Sequence, residues 1–215
     1  MVRTFAAPSV RRLPSYLQVI RELTQDERDF ISATDIALEL QLEPIQVRKD
    51  LAMTGIIGTP KKGYPVADLI DAVERFLGWD SNSDAVLVGV GNLGSALLGH
   101  RNFLLHGLHI MVAFDVNPRK IGARIHGIHV FNAETMDIQI KKLGVKIAIL
   151  TVPPEYAQKS ADMLVGAGIE GIWNFTDIKL KVPGSVAVQQ EDLSAGYALL
   201  RVKMKSRSGK EFPVP

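Results

Sequence analysis

The chain has no cysteine, which excludes disulfides, thiol catalysis and cysteine-based zinc sites. It has no apolar run approaching the ~20 residues that a membrane span needs, and its first residues lack the apolar stretch of a secretory signal. The expectation is a cytoplasmic protein with no membrane partner. Charge of one sign is also scarce: a net charge of +2 says nothing by itself about nucleic acid, so its distribution has to be followed along the chain. The five histidines, His100, His106, His109, His126 and His129, include two close pairs, but no carboxylate pattern completes a metal site. They read as surface or strand residues, and no metal is expected.

What is present is ample apolar content, 47% of 215 residues, enough for two small domains. The most informative stretch runs from Ala85 to Asp115. It holds an apolar run, Ala85 to Val88, then Gly89-Val90-Gly91-Asn92-Leu93-Gly94, a helical stretch from Ser95 to Leu105, and a second apolar run, His109 to Asp115. This is one βαβ unit with a dinucleotide turn. Gly89 permits the tight turn, Gly91 lets backbone approach a pyrophosphate, and Gly94 lets helix and sheet pack closely. The helix start turns free N–H groups and a positive dipole end toward the phosphates. Asp115 closes the second strand where a carboxylate can accept from a ribose diol, which favours NAD(H) over NADP(H), although Arg119 and Lys120 follow closely.

Further along, Ile125 to Val130 reads as a short strand, Ala133 to Leu143 as a weak helix and Lys146 to Val152 as a buried strand. A helix from Glu155 to Gly166 and a strand from Ile169 to Phe175 follow. Ligands of open parallel sheets lie outside the carboxyl ends of strands, so Val116, Thr151, Val152, Pro153, Asn174 and Phe175 are expected at the cofactor. A dehydrogenase needs a positioned acid or base. No histidine sits at a strand end after the fourth strand, and little chain remains for a substrate domain. The cofactor therefore reads as a signal rather than a reagent, with no catalytic residue expected.

Ahead of this unit, Met1 to Pro8 reads as a loosely held arm that Arg3, with Arg11 and Arg12 beyond it, makes basic. Pro14 suits a first helical turn ahead of Tyr16, Leu17, Ile20 and Leu23. Ser32 or Thr34 caps a short helix with Ile36, Ala37 and Leu40, and Pro44 opens another that Gly55 ends. Together they form a helix-turn-helix pattern. Ile45 and Leu51 are expected on its buried face, with Gln46, Arg48 and Lys49 facing outward, the side-chain types that reach base edges and phosphates. Gly58 to Pro65 reads as a basic wing carrying Lys61, Lys62 and Tyr64. Residues 1–80 hold ten Lys/Arg against twelve Asp/Glu, so a purely protein-binding helical bundle fits the same pattern. The basic residues, however, gather at the three places where a winged helix meets DNA. Val66 to Leu77 reads as a closing helix, Gly78 to Asp84 as the linker, and Glu191 to Val202 as a terminal helix before a basic tail with Lys203, Lys205, Arg207 and Lys210.

The chain resembles the bacterial redox-sensing repressors called Rex over nearly its whole length. The resemblance rests on Arg12 to Leu17, Gln46 to Leu51, Gly89 to Gly94, Phe114 to Pro118, Ala148 to Pro153, Ala167 to Phe175 and Val182-Pro183. It implies an α/β homodimer: a winged helix-turn-helix domain at 1–80, a Rossmann NAD(H) domain with a parallel sheet at 81–190, and a dimerisation helix with its tail at 191–215. That helix would be exchanged between subunits, lying between the partner's two domains. It further implies binding of palindromic operator DNA, relieved by NADH. The chain departs from the family at Gln18, where many members carry Arg, at the turn Met53 to Ile57, and at His100, where Tyr is frequent, while Asp192 is retained. A differently tuned redox response is the expectation. Two other classes fit the residues: a small NAD-dependent oxidoreductase with a helical dimerisation domain, and a nucleotide-binding subunit acting through protein contacts.

Overall fold

The computed structural model describes residues 6–23 and 28–207. Arg3 of the expected arm and Lys210 of the expected tail lie outside them. The chain divides into two compact units at Asn82/Ser83.

The first unit orders α1 (Ala7–Leu23), β1 (Phe30–Ile31), α2 (Ala33–Leu40), α3 (Pro44–Ala52), β2 (Tyr64–Pro65) and α4 (Val66–Leu77). Its core joins Leu13, Tyr16, Leu17 and Ile20 of α1 to Ile36, Val47, Leu51, Leu69 and Val73. Each such aliphatic side chain contributes roughly 1.5–3 kcal/mol by leaving water. Ser32 caps α2 in a reciprocal box with Asp35. β1 pairs antiparallel with β2, and a bridge from Thr59 to Gly63 closes the wing. Gly63 is obligatory there: it has φ +96°, and a Cβ would come within 2.4 Å of the Ile31 carbonyl oxygen.

Two expectations fail in this unit. α1 begins at Ala7, not near Pro14, and runs through the proline. Ser9 and Leu13 continue the buried face of Tyr16, Leu17 and Ile20 back past Pro14, and that packing outweighs the hydrogen bond the proline removes. Ile45 is not buried; it is 55% exposed while Val47 and Leu51 are sealed.

The second unit orders β3 (Ser83–Val88), α5 (Asn92–Leu98), α6 (Asn102–Leu105), β4 (Leu108–Asp115), β5 (Arg124–Ile125) and β6 (Ile128–Asn132). After a 3-10 turn at Ala133–Thr135 come α7 (Met136–Leu143), β7 (Ile147–Leu150), α8 (Pro154–Gly166), β8 (Gly171–Asn174), β9 (Ala187–Gln190) and α9 (Leu193–Arg207). The sheet order is β5-β6-β4-β3-β7-β8-β9, parallel except for the β5–β6 pair. Setting β5 aside, the six parallel strands follow the doubly wound order 3-2-1-4-5-6, with its switch point between β3 and β7. Alternate strand residues face opposite cores: Val86, Val88 and Phe114 meet the layer containing α7 and α8, whereas Leu87 and Ala113 join Leu98 of α5.

The expected helix from Ser95 to Leu105 is two helices, broken at Gly99, where the His126 ring comes so close that a Cβ would lie 2.9 Å from it. The expected strand from Ile125 to Val130 is a hairpin, because His126 and Gly127 both take positive φ, as a two-residue turn requires. The edge strand β9, Ala187-Val188-Gln189-Gln190, is exposed throughout and too short to show an alternating apolar pattern.

Candidate cofactor site and nucleic-acid interface

The glycine turn is fixed by contacts that leave no room for side chains. Gly89 has φ +95°, and a Cβ there would lie 2.8 Å from the Thr151 carbonyl oxygen; on Gly94 it would lie 2.1 Å from the Gly89 carbonyl oxygen. Gly91 differs: nothing stands within 4 Å of the equivalent point, so its outer side is open to a ligand. The first hydrogen bond of α5 runs from Ser95 N–H to Gly91 O, with the N–H groups of Asn92, Leu93 and Gly94 ahead of it. Close backbone, open space and free donors together fit a pyrophosphate.

Asp115 Oδ2 accepts from Val90 N–H at 2.8 Å and Oδ1 from Asn117 N–H at 2.8 Å, so the carboxylate braces the turn as well as standing at its mouth. Lys120 donates to Val90 O at 2.5 Å and lies 3.6 Å from Asp115 Oδ2. It belongs to the loop, a role that its spacing alone did not reveal. From the facing strand the Thr151 hydroxyl donates to the turn, 2.7 Å from Gly89 O, and Val152 packs against the same turn. Val116 is exposed beside Asp115. Pro153 begins α8. Asn174 lies at the end of β8, but its side chain is buried: it donates to Ile178 O and to Gln190 Oε1 and accepts from Thr176. It holds the strand end and β9 rather than presenting an amide, while Phe175 tilts against Trp173 with ring centres 5.0 Å apart.

In the first unit the decisive group is Asp50, 1% exposed in the last turn of α3. It accepts from Arg12 Nε at 2.7 Å, Arg12 Nη2 at 3.0 Å, Tyr16 Oη at 2.6 Å and Gln46 Nε2 at 2.8 Å. Burial works against its charge, but the hydrogen bonds from Arg12, Tyr16, Ser9 and Gln46 outweigh it and bring the pKa down to about 2. The same bonds hold Arg12 above its ordinary range, and burial with the Asp50 bond pushes Tyr16 up. Arg12 and Gln46, expected as free nucleic-acid contacts, are therefore bound to the α1–α3 joint. Tyr64 likewise packs against the core from β2. By contrast Arg11, Arg48, Lys49 and Lys61 are exposed, with no ion pair among the described residues, and Lys62 lies 5.4 Å over the Phe30 ring.

The signal for Asp50 was present in the sequence. Positions 47, 50 and 51 share one helical face, and a charge placed there demands a partner; Arg12 and Tyr16, four apart on α1, supply it.

A family model described as the CoA binding domain matches residues 80–178, and one described as the putative DNA-binding protein N-terminus matches residues 6–52. The chain is 55% identical over 202 residues to the redox-sensing transcriptional repressor Rex of Treponema denticola, covering 94% of this chain and 96% of that one. It is 39% identical over 193 residues to the repressor of the same name from Bacteroides fragilis, covering 90% and 88%. The chain belongs to the Rex family. Among solved structures, a Rex-family repressor, RSP, in complex with NAD+ and operator DNA superposes with a TM-score of 0.86 at 33% identity, over 96% of this chain and 95% of that one. RSP in complex with NADH gives 0.85 at 31% identity, over 96% and 97%. Two of the positions at which this chain departs from the Rex pattern, Gln18 and His100, and the retained Asp192 have defined contacts. Gln18 donates to Glu22 on the outer face of α1. His100 meets Phe103 edge-on at 4.6 Å. Asp192 accepts from the Ser194 hydroxyl and N–H, which lowers its pKa and caps the start of α9.

Proposed function

We infer that the chain is an NAD(H)-responsive transcriptional repressor that binds palindromic operator DNA as a homodimer and is released by NADH. The observation that carries this is the pairing, in one Rex-family chain, of a glycine turn open only at Gly91 with an exposed cationic face on α3 and the wing. The segment 1–80 holds DNA, 81–190 holds the cofactor, and 191–215 joins the subunits. Gly89 to Gly94 cradle the pyrophosphate, Asp115 accepts from the adenosine ribose, and Val116, Thr151, Val152, Pro153, Asn174 and Phe175 border the rest. Arg11, Arg48, Lys49, Lys61 and Lys62 face the DNA, while Arg12 and Gln46 set the angle of α3 through Asp50.

α9 leaves Leu193, Tyr197, Leu200 and Met204 exposed on its own chain, so its apolar surface is covered by a second copy, consistent with exchange between subunits. NADH acts by binding two arrangements of the dimer unequally. The arrangement it favours spaces the two α3 helices wrongly for successive half-sites. The cofactor is bound and released unchanged, and the site of action is the cytoplasm, where bacterial operators lie. The test adds NADH to a preformed protein–duplex complex. Dissociation with the reduced cofactor recovered intact supports the repressor, whereas steady consumption of NADH on adding small carbonyl compounds supports an oxidoreductase.

A further inference from the structure

The exposed face of α3 carries one large apolar side chain among its cations. Ile45, Arg48, Lys49 and Ala52 are exposed, whereas Val47, Asp50 and Leu51 are buried. Spacings of three, four and seven place the exposed four on one stripe, the one turned away from the domain core. Ile45 is the second residue of the helix, after Pro44, and the amino-terminal residues of a recognition helix are those that meet base edges. It is absent from the core that encloses Val47 and Leu51.

Its neighbour strengthens the case. Gln46 is a side chain that reads adenine by using its amide N–H and oxygen together, but here its Nε2 donates to Asp50 at 2.8 Å. The helix has therefore turned its amide reader inward and left an aliphatic group at the leading edge. In the major groove the feature matched to an aliphatic side chain is the C5-methyl of thymine. We propose that Ile45 is a specificity residue that reads one thymine methyl in each half-site. This rests on the operator-binding function given above. Arg48 lies one turn further on the same stripe, about 4.5 Å along the axis, so that thymine stands within one or two base pairs of the base or phosphate that Arg48 contacts.

The experiment uses the full chain and the duplex it selects from a random pool. Each thymine is replaced in turn by deoxyuridine, which removes only the methyl, and the dissociation constant is measured for wild type and Ile45→Ala at one salt concentration. The expected result is one thymine per half-site at which deoxyuridine weakens wild type about fourfold, the worth of one buried methyl-sized group. There Ile45→Ala is already weakened and indifferent to the change. Ile45→Val should fall between them, and the unfolding temperature of Ile45→Ala should match wild type. Wild type indifferent to every substitution, or Ile45→Ala as sensitive as wild type at the same thymine, would overturn the assignment while leaving the repressor intact. Selection of no duplex at all would remove both.

Discussion

The glycine turn of the second unit and the outer face of α3 in the first are both proposed to meet phosphate-bearing ligands, yet they are specified differently. In the turn the backbone makes the site. Gly89 and Gly94 are required by contacts of 2.8 and 2.1 Å to backbone oxygens, and those constraints fall on a residue type that a sequence displays openly. On α3 the side chains make the site, and which of them are free is decided by Asp50 and its partners on α1, 38 positions away. A backbone site is legible locally. A side-chain site is legible only once the packing partner is known.

The sharpest break of this contrast is Asp50→Ala. It leaves Arg12, Tyr16 and Gln46 without their shared acceptor, and losing one side of a buried ion pair costs about 3–5 kcal/mol. The expected outcome is unfolding of the first unit and loss of operator binding, while NADH still binds the second. The two tryptophans separate these events, because Trp79 packs on the first core and Trp173 in the second unit. The mirror experiment is Gly94→Ala, which forces a methyl against the Gly89 carbonyl and should cost about 1–3 kcal/mol in the second unit. NADH titration should show binding lost, with the Trp79 transition unmoved.

Acid sharpens the comparison without a mutation. Asp50 titrates at about 2, below the ordinary 3.8, so its contribution is complete above pH 4 and disappears as pH falls from about 4 to 2. Roughly 2 kcal/mol is at stake. The first unit of the wild type should show this acid limb, and Asp50→Asn should lack it while starting less stable at neutral pH; equal limbs would remove Asp50 from the network. Arg48→Ala removes one exposed cation, which should weaken the selected duplex about tenfold and leave NADH affinity alone. The smallest effect is expected for Asp115→Asn, which keeps an acceptor for the turn but removes the charge. The preference for NADH over NADPH should narrow several-fold, measured by paired titrations, because Lys120 already stands beside the site.

How much was legible follows the same division. The βαβ unit, the strand ends near Thr151, the capped α2 and the basic wing could all be read, because each is a local pattern of glycine, apolar runs and caps. The start of α1 could not, since only tertiary packing tells that the buried face continues past Pro14. Ile45 was misplaced because its apolarity was taken for burial, when the wheel of 45, 48, 49 and 52 already put it with Arg48. Asn174 stands at a strand end as expected, but that its amide is committed to Ile178 and Gln190 could be known only from the fold. The edge strand β9 is short, exposed and paired along one side with β8, and pairing of that kind leaves no periodic trace.

The measurement that bears most directly on the whole account is the affinity of the full chain for its selected duplex, at one salt concentration, with saturating NAD+ and then saturating NADH. Tight binding with NAD+ and at least tenfold weaker binding with NADH is the predicted result, and it would show that the switch operates with Gln18 and His100 in place. Equal affinity with both would contradict it, leaving a DNA-binding protein whose cofactor does not set its grip.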